Sequence, residues 1–96
     1  MNLNYTIEEI TSITNGTVRG DSKAIVNSLF IDTRNHFNEN NALFIAIKGF
    51  NVDGHNFIDK AIELGANSIL LDQNIKNKYS IPFLKVKDSR KAMSKI

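Results

Sequence analysis

The chain has 96 residues, 42% hydrophobic and 23% charged, with a formal net charge of +2. Such a composition fits one small globular domain and argues against both disorder and a basic nucleic-acid-binding face. It contains no cysteine, which excludes disulfides, thiolate metal sites and a cysteine nucleophile. No apolar run reaches the roughly 18 residues of a membrane span, and the N-terminus lacks a signal-peptide core. The expectation is a soluble intracellular protein.

Thr6-Ile7-Glu8-Glu9 reads as a capping box and predicts a helix over 6–14. Tyr5 and Ile10 are placed as its hydrophobic staple, and Asn15-Gly16 as its left-handed stop. Thr17 to Arg19 reads as a short strand, and Ile25 to Ile31 as a longer one leading into a polar loop, Asp32 to Asn41. Ala42 to Ile47 has the length and residue type of a buried strand. The chain then breaks into Lys48-Gly49-Phe50-Asn51-Val52-Asp53-Gly54-His55. From there Phe57, Ile58, Ala61 and Ile62 share one face of a helix over about 55–64, with Gly65 beyond its end.

Ser68 to Leu71 is a further buried strand of the parallel-sheet type. Gln73 to Ser80 is a polar surface connection. Pro82 extends Ile81 and introduces a strand, Phe83 to Val86. Asp88 is the N-cap of a last helix that reaches Ile96 with no C-cap glycine, so a longer protein is expected to continue from here. The predicted fold is α/β, a small sheet of about five strands with helices packed on it.

Strand, glycine-bearing loop and helix start together suggest a phosphate cradle, although an ordinary connection of a small α/β domain accounts for them better. Gly49 and Gly54 have P-loop spacing, but His55 and Asn56 stand where G-x-x-x-x-G-K-[ST] needs lysine and a hydroxyl, and Asp53 adds negative charge. ATP hydrolysis at this loop is therefore excluded. Asp53-Gly54 is also a hairpin-turn dipeptide, although the helical periodicity after it argues otherwise. His55 fits a helix-start residue better than a catalyst, and His36 and His55 lack metal-ligand spacing. Asp32-Thr33-Arg34 comes directly after a strand end, where Arg34 can clamp a phosphate and Thr33 can bond a base or sugar. A local turn, in which Asp32 caps nearby amides and Arg34 pairs with it, fits these residues better on their own. Phe50 either closes over the core or stacks on a flat ligand ring.

Three ordered segments, Asp32-Thr33-Arg34, Leu43 to Gly49 and Asp53-Gly54-His55-Asn56-Phe57-Ile58, resemble the N-terminal domain of the Mur ligases. Val86 to Ala92 resembles the segment that ends that domain. The resemblance implies a UDP-sugar-binding domain spanning 1–96, inactive alone, within an ATP-dependent ligase of peptidoglycan precursor synthesis. It implies UDP-N-acetylmuramoyl-peptide as substrate, and an ATPase domain and a C-terminal domain as covalent neighbours. ATP and Mg belong to those domains, with no cofactor held by this one and no nucleic-acid or membrane partner. Thr33, Arg34, Lys48, Gly49, Phe50, Asn51 and Val52 would contact the uridine. Asp32, Asp53, Gly54 and His55 would orient the loop. The form Asp-Thr-Arg and the opening Tyr5 to Ile10 point to the ligase that adds D-alanyl-D-alanine, the alternative being the ligase that adds the third stem residue. A stand-alone nucleotide-binding adaptor is a reading from another class. One departure is Asn41-Ala42, where the family usually has Gly-Asp. Asparagine tolerates the left-handed turn that position needs.

Overall fold

A computed structural model describes residues 4–33, 41–74 and 80–96. Arg34 and His36 lie outside these described residues. The capping box forms as the sequence predicts. Glu9 N–H donates to Thr6 Oγ1 at 3.2 Å, and Thr6 N–H donates to Glu9 Oε1 at 3.0 Å. Helix α1 spans Ile7–Thr14 and exits through Asn15 at φ 56°. Asn15 alone carries the left-handed turn. Gly16 is there for a different reason, since a Cβ on it would lie 2.6 Å from Leu84 Cδ1 and 2.9 Å from the Lys85 carbonyl oxygen.

The predicted strand over 25–31 divides at Asn27. Strand β1 (Tyr5–Thr6) pairs with β3 (Ile25–Val26) in a separate antiparallel ribbon, while β4 (Ser28–Phe30) joins the main sheet. Asn27 turns the chain between them, its N–H donating to the Asn41 carbonyl at 2.9 Å and its Oδ1 accepting from Asn41 Nδ2 at 2.8 Å. Asn41 itself sits at φ 56° and accepts a further bond from Asn67 Nδ2 at 3.2 Å. The asparagine thus takes the left-handed backbone expected of it and ties three segments together.

The main sheet has the order β2-β7-β6-β5-β4, with β2 at Thr17–Arg19, β5 at Ala42–Ile45, β6 at Ala66–Leu71 and β7 at Phe83–Lys85. Of these five, β2 alone runs antiparallel to its neighbour; β4 to β7 are mutually parallel. Successive residues of β5 point to opposite faces, so Ala42 and Phe44 pack with Ile58 and Ala61 of α2 (Ile58–Glu63). Leu43 and Ile45 pack with Ile7 and Ile10 of α1 and Ala92 of α3 (Ser89–Lys95). Both faces of β5 are buried, which is why its sequence is a continuous apolar run and not an alternating one. Burying each such large side chain contributes about 1.5–3 kcal/mol before entropy is counted.

The helix predicted over about 55–64 begins as a 3₁₀ turn, Gly54–Phe57, and only then becomes α2. Helix α3 starts where Asp88 predicts, its carboxylate accepting from Lys91 N–H at 3.1 Å. Among the described residues no helix is long and apolar enough to cross a membrane.

Candidate ligand-binding cavity

Four parallel strands end on one edge of the sheet, where the segments leaving them converge. A cavity of about 370 Å³ opens between the chain after β4 (Ile31, Asp32, Thr33), the loop after β5 (Ile47, Gly49, Val52, Gly54), Phe57, and the α3 residues Arg90 and Met93. The carboxyl edge of an open parallel sheet is where α/β domains hold ligands, and the volume is within the small-molecule range of roughly 300–1,000 Å³.

The loop after β5 is a tight hairpin. Gly49 N–H donates to the Val52 carbonyl at 2.7 Å, Lys48 and Asp53 form an antiparallel backbone bridge, and Gly54 N–H donates to the Ile47 carbonyl at 2.8 Å. Asp53-Gly54 is therefore not the turn of this hairpin but part of its closing end, and Phe50-Asn51 is the tip. Phe50 is fully exposed there. It does not close over the core, which removes one of its two expected roles. Val52, Ile31 and Phe57 are also exposed large apolar residues at this edge.

The junction of hairpin and helix cannot cradle a phosphate. Gly54 N–H is bound to Ile47, His55 N–H donates to Asp53 Oδ1 at 3.0 Å, and Asn56 N–H donates to the Asp53 carbonyl at 3.1 Å. The amides an anion would need are already paired, and a carboxylate stands in its place. Asp53 is the cap, so its negative charge serves the backbone and not a ligand.

Behind the hairpin, the His55 ring is 6% exposed and latches three elements together. Its Nε2 lies 3.2 Å from the Asp72 amide nitrogen and 3.3 Å from Asp72 Oδ1, and its Nδ1 lies 2.7 Å from Asp53 Oδ1. Gln73 Nε2 donates to Asp53 Oδ2 at 3.0 Å, and Ser89 N–H of α3 donates to Asp72 Oδ2 at 2.8 Å. One chain of polar contacts therefore runs from hairpin to β6 to α3. Burial pushes the Asp53 carboxyl up, but the bonds from the His55 backbone and ring and from Gln73 outweigh it and hold the group below its usual range. A carboxyl depressed by folding adds stability that is complete above its unfolded value, about 3.9, and disappears as pH falls through the folded one. Denaturant titrations should show stability falling below about pH 4, with Asp53→Asn flattening that slope. An equal acid slope in the variant would assign the loss to other carboxylates.

Among the residues singled out in the sequence, Asp32, Thr33, Gly49, Val52 and Gly54 line the cavity. Lys48, Phe50 and Asn51 are on the hairpin outside that lining, and Asp53 and His55 form the latch. Arg34 lies outside the described residues. Sequence reasoning missed Ile31, Ile47, Phe57, Arg90 and Met93, as well as Asp72 and Gln73 of the latch. Asp88 as N-cap fixes the start of α3 and places Arg90 and Met93 three residues apart on one side, but nothing local says that this side meets the cavity. Among the described residues no group of three or more His, Cys, Asp or Glu side chains is arranged to hold a metal ion.

A mostly parallel sheet that delivers a hairpin and a helix to one apolar cavity defines an α/β domain with a candidate ligand site at its carboxyl edge. A family model described as "Mur ligase family, catalytic domain" matches residues 29–96. A UDP-N-acetylmuramoyl-L-alanyl-D-glutamate–2,6-diaminopimelate ligase of Alkaliphilus metalliredigens is 33% identical over 96 residues, covering 100% of this chain and 18% of the relative. The ligase of the same name from Clostridioides difficile is 38% identical over 96 residues, covering 100% and 19%. A crystal structure of MurF from Acinetobacter baumannii superposes with a TM-score of 0.83 at 23% identity, covering 98% of this chain and 20% of that one. The chain belongs to the Mur ligase family. It spans about a fifth of the length of the curated relatives it matches.

Proposed function

We propose that this chain is the N-terminal domain of an ATP-dependent Mur ligase and holds the uridine end of a UDP-N-acetylmuramoyl-peptide. The observation that carries the reading is the cavity itself. Thr33, Gly49 and Val52 border an apolar slot of nucleoside size, and Phe50 at the tip of the same hairpin is exposed and has no packing of its own. The sequence motifs favoured the D-alanyl-D-alanine-adding ligase. That expectation gives way to the alternative, because the relatives that match at 33% and 38% identity bear the name of the diaminopimelate ligase, whereas likeness to MurF at 23% identity speaks for the fold alone. The third-residue ligase is therefore the member proposed. Activation of the substrate with ATP and Mg, and attack by the incoming amine, fall to domains beyond these residues, and no chemical step is placed here.

Titration of the chain with UDP, monitored by amide chemical shifts, tests the assignment. Shifts should concentrate at Thr33, Gly49 and Val52, and their absence there would overturn it. Phe50→Ala should weaken binding roughly tenfold, the lower part of the range for loss of one aromatic–base stack. Its unfolding midpoint should stay unchanged, because the ring is already in water. A lowered midpoint would instead give Phe50 a packing role.

A further inference from the structure

The cavity has one positively charged side chain in its lining among the described residues, and it comes from the last helix and not from the hairpin. We infer that Arg90 is the anion-recognising residue of this site and takes a phosphate of a nucleoside diphosphate whose base occupies the apolar slot. The inference rests on the nucleotide-site reading and adds to it a residue and a division of labour.

Elimination leads to this residue. A ligand with a flat ring and a diphosphate needs an apolar surface, partners for its polar edges and a cation or free amides. Ile31, Val52 and Phe57 supply the surface, and Asp32 and Thr33 supply polar groups in the wall after β4. The amides of Gly49, Gly54, His55 and Asn56 are all committed within the chain. Lys48 does not line the cavity. Asp32 has the wrong sign for an anion. Arg90 is left.

Its placement suits the task. The Arg90 guanidinium enters no ion pair or hydrogen bond among the described residues, so no internal partner would have to be given up. The helix bearing it is fixed on both sides of that residue, with Ser89 and Ala92 buried and Ser89 N–H held by Asp72. Arginine offers phosphate a planar, two-pronged donor set, and the apolar lining beside it weakens the competition from water. The His55–Asp72–Ser89 chain of contacts also acquires a purpose, because it sets the hairpin that receives the base in register with the helix that receives the phosphate.

The test compares uridine with UDP on the wild-type chain, Arg90→Ala and Arg90→Lys, by amide shifts at Thr33 and Val52. The wild type should bind UDP about tenfold or more tightly than uridine, a difference expected of a charged hydrogen-bonded contact. Arg90→Ala should remove most of that difference while leaving uridine affinity as it was, and Arg90→Lys should restore part of it. A UDP-to-uridine ratio unchanged in Arg90→Ala, an equal loss for both ligands, or a wild type that binds both equally would overturn the role of Arg90 and leave the nucleotide site standing. A wild type that binds neither ligand would overturn the nucleotide site and this inference with it.

Discussion

His55→Ala should lower the stability of the domain by about 3 kcal/mol, the sum expected for unpaired buried polar groups and the space left by the ring. The ring is almost wholly enclosed, and both nitrogens are engaged, one with Asp53 and one with the Asp72 amide. Removing it leaves the Asp72 N–H without its acceptor and takes from Asp53 a bond that keeps it ionised. About 3 kcal/mol is a large share of the total for a chain of this size, which at about 0.05–0.15 kcal/mol per residue has roughly 5–14 to lose. Urea unfolding at neutral pH should show a lower midpoint with an unchanged slope. His55→Asn keeps a short side-chain donor toward Asp53 but not the reach to Asp72, and should fall between the two. A loss below about 1 kcal/mol in the alanine variant, the usual size for an exposed polar change, would show that the latch is not holding the three elements. The same engagement of both nitrogens makes His55 a poor general base, so a positioning role is the one its surroundings support.

Much of the fold was legible because local signals and global packing agree. The capping box at Thr6–Glu9, the N-cap at Asp88 and the apolar run of β5 each name their element from a few residues, and the structure places them there. The features that escaped depend on partners distant in sequence. Nothing within Ile25 to Ile31 reveals that Asn27 bonds Asn41 and splits the strand between two sheets. Likewise Gly16 looks like a helix stop until Leu84, far along the chain, is seen packed against it. At the cavity, the hairpin residues were readable as a glycine-bearing loop between strand and helix. Arg90 and Met93 were not, because only the docking of α3 against α1 and the sheet brings them to the carboxyl edge. The latch was half legible. Asp53-Gly54-His55 announces a capped start, but its partner Asp72 lies just past a different strand and carries no local motif.

Gly54→Ala should cost about 3 kcal/mol, at the upper end of the range for overpacking a tight site, and should also abolish detectable UDP binding. A Cβ on Gly54 would stand 2.8 Å from the Ile47 amide nitrogen, 3.0 Å from its carbonyl oxygen and 3.3 Å from the Ala46 Cα. All three are backbone atoms, so no rotamer change relieves the clash. Nor can the backbone yield easily, since Ala46 N–H is bonded to the Leu70 carbonyl at 2.8 Å and Gly54 N–H to the Ile47 carbonyl at 2.8 Å. Relief must come from lifting the hairpin away from the end of β5, which breaks the second of these bonds and carries Gly49 and Val52 out of the cavity wall. Gly49→Ala provides the contrast. Its Cβ would approach only the Val52 carbonyl, at 3.1 Å, near an exposed tip free to shift by a few tenths of an ångström. That variant should lose less than about 1 kcal/mol and keep its ligand. Equal losses at the two positions would mean that the hairpin needs glycine for mobility, and that the close approach at Ile47 is not what fixes the loop over the site.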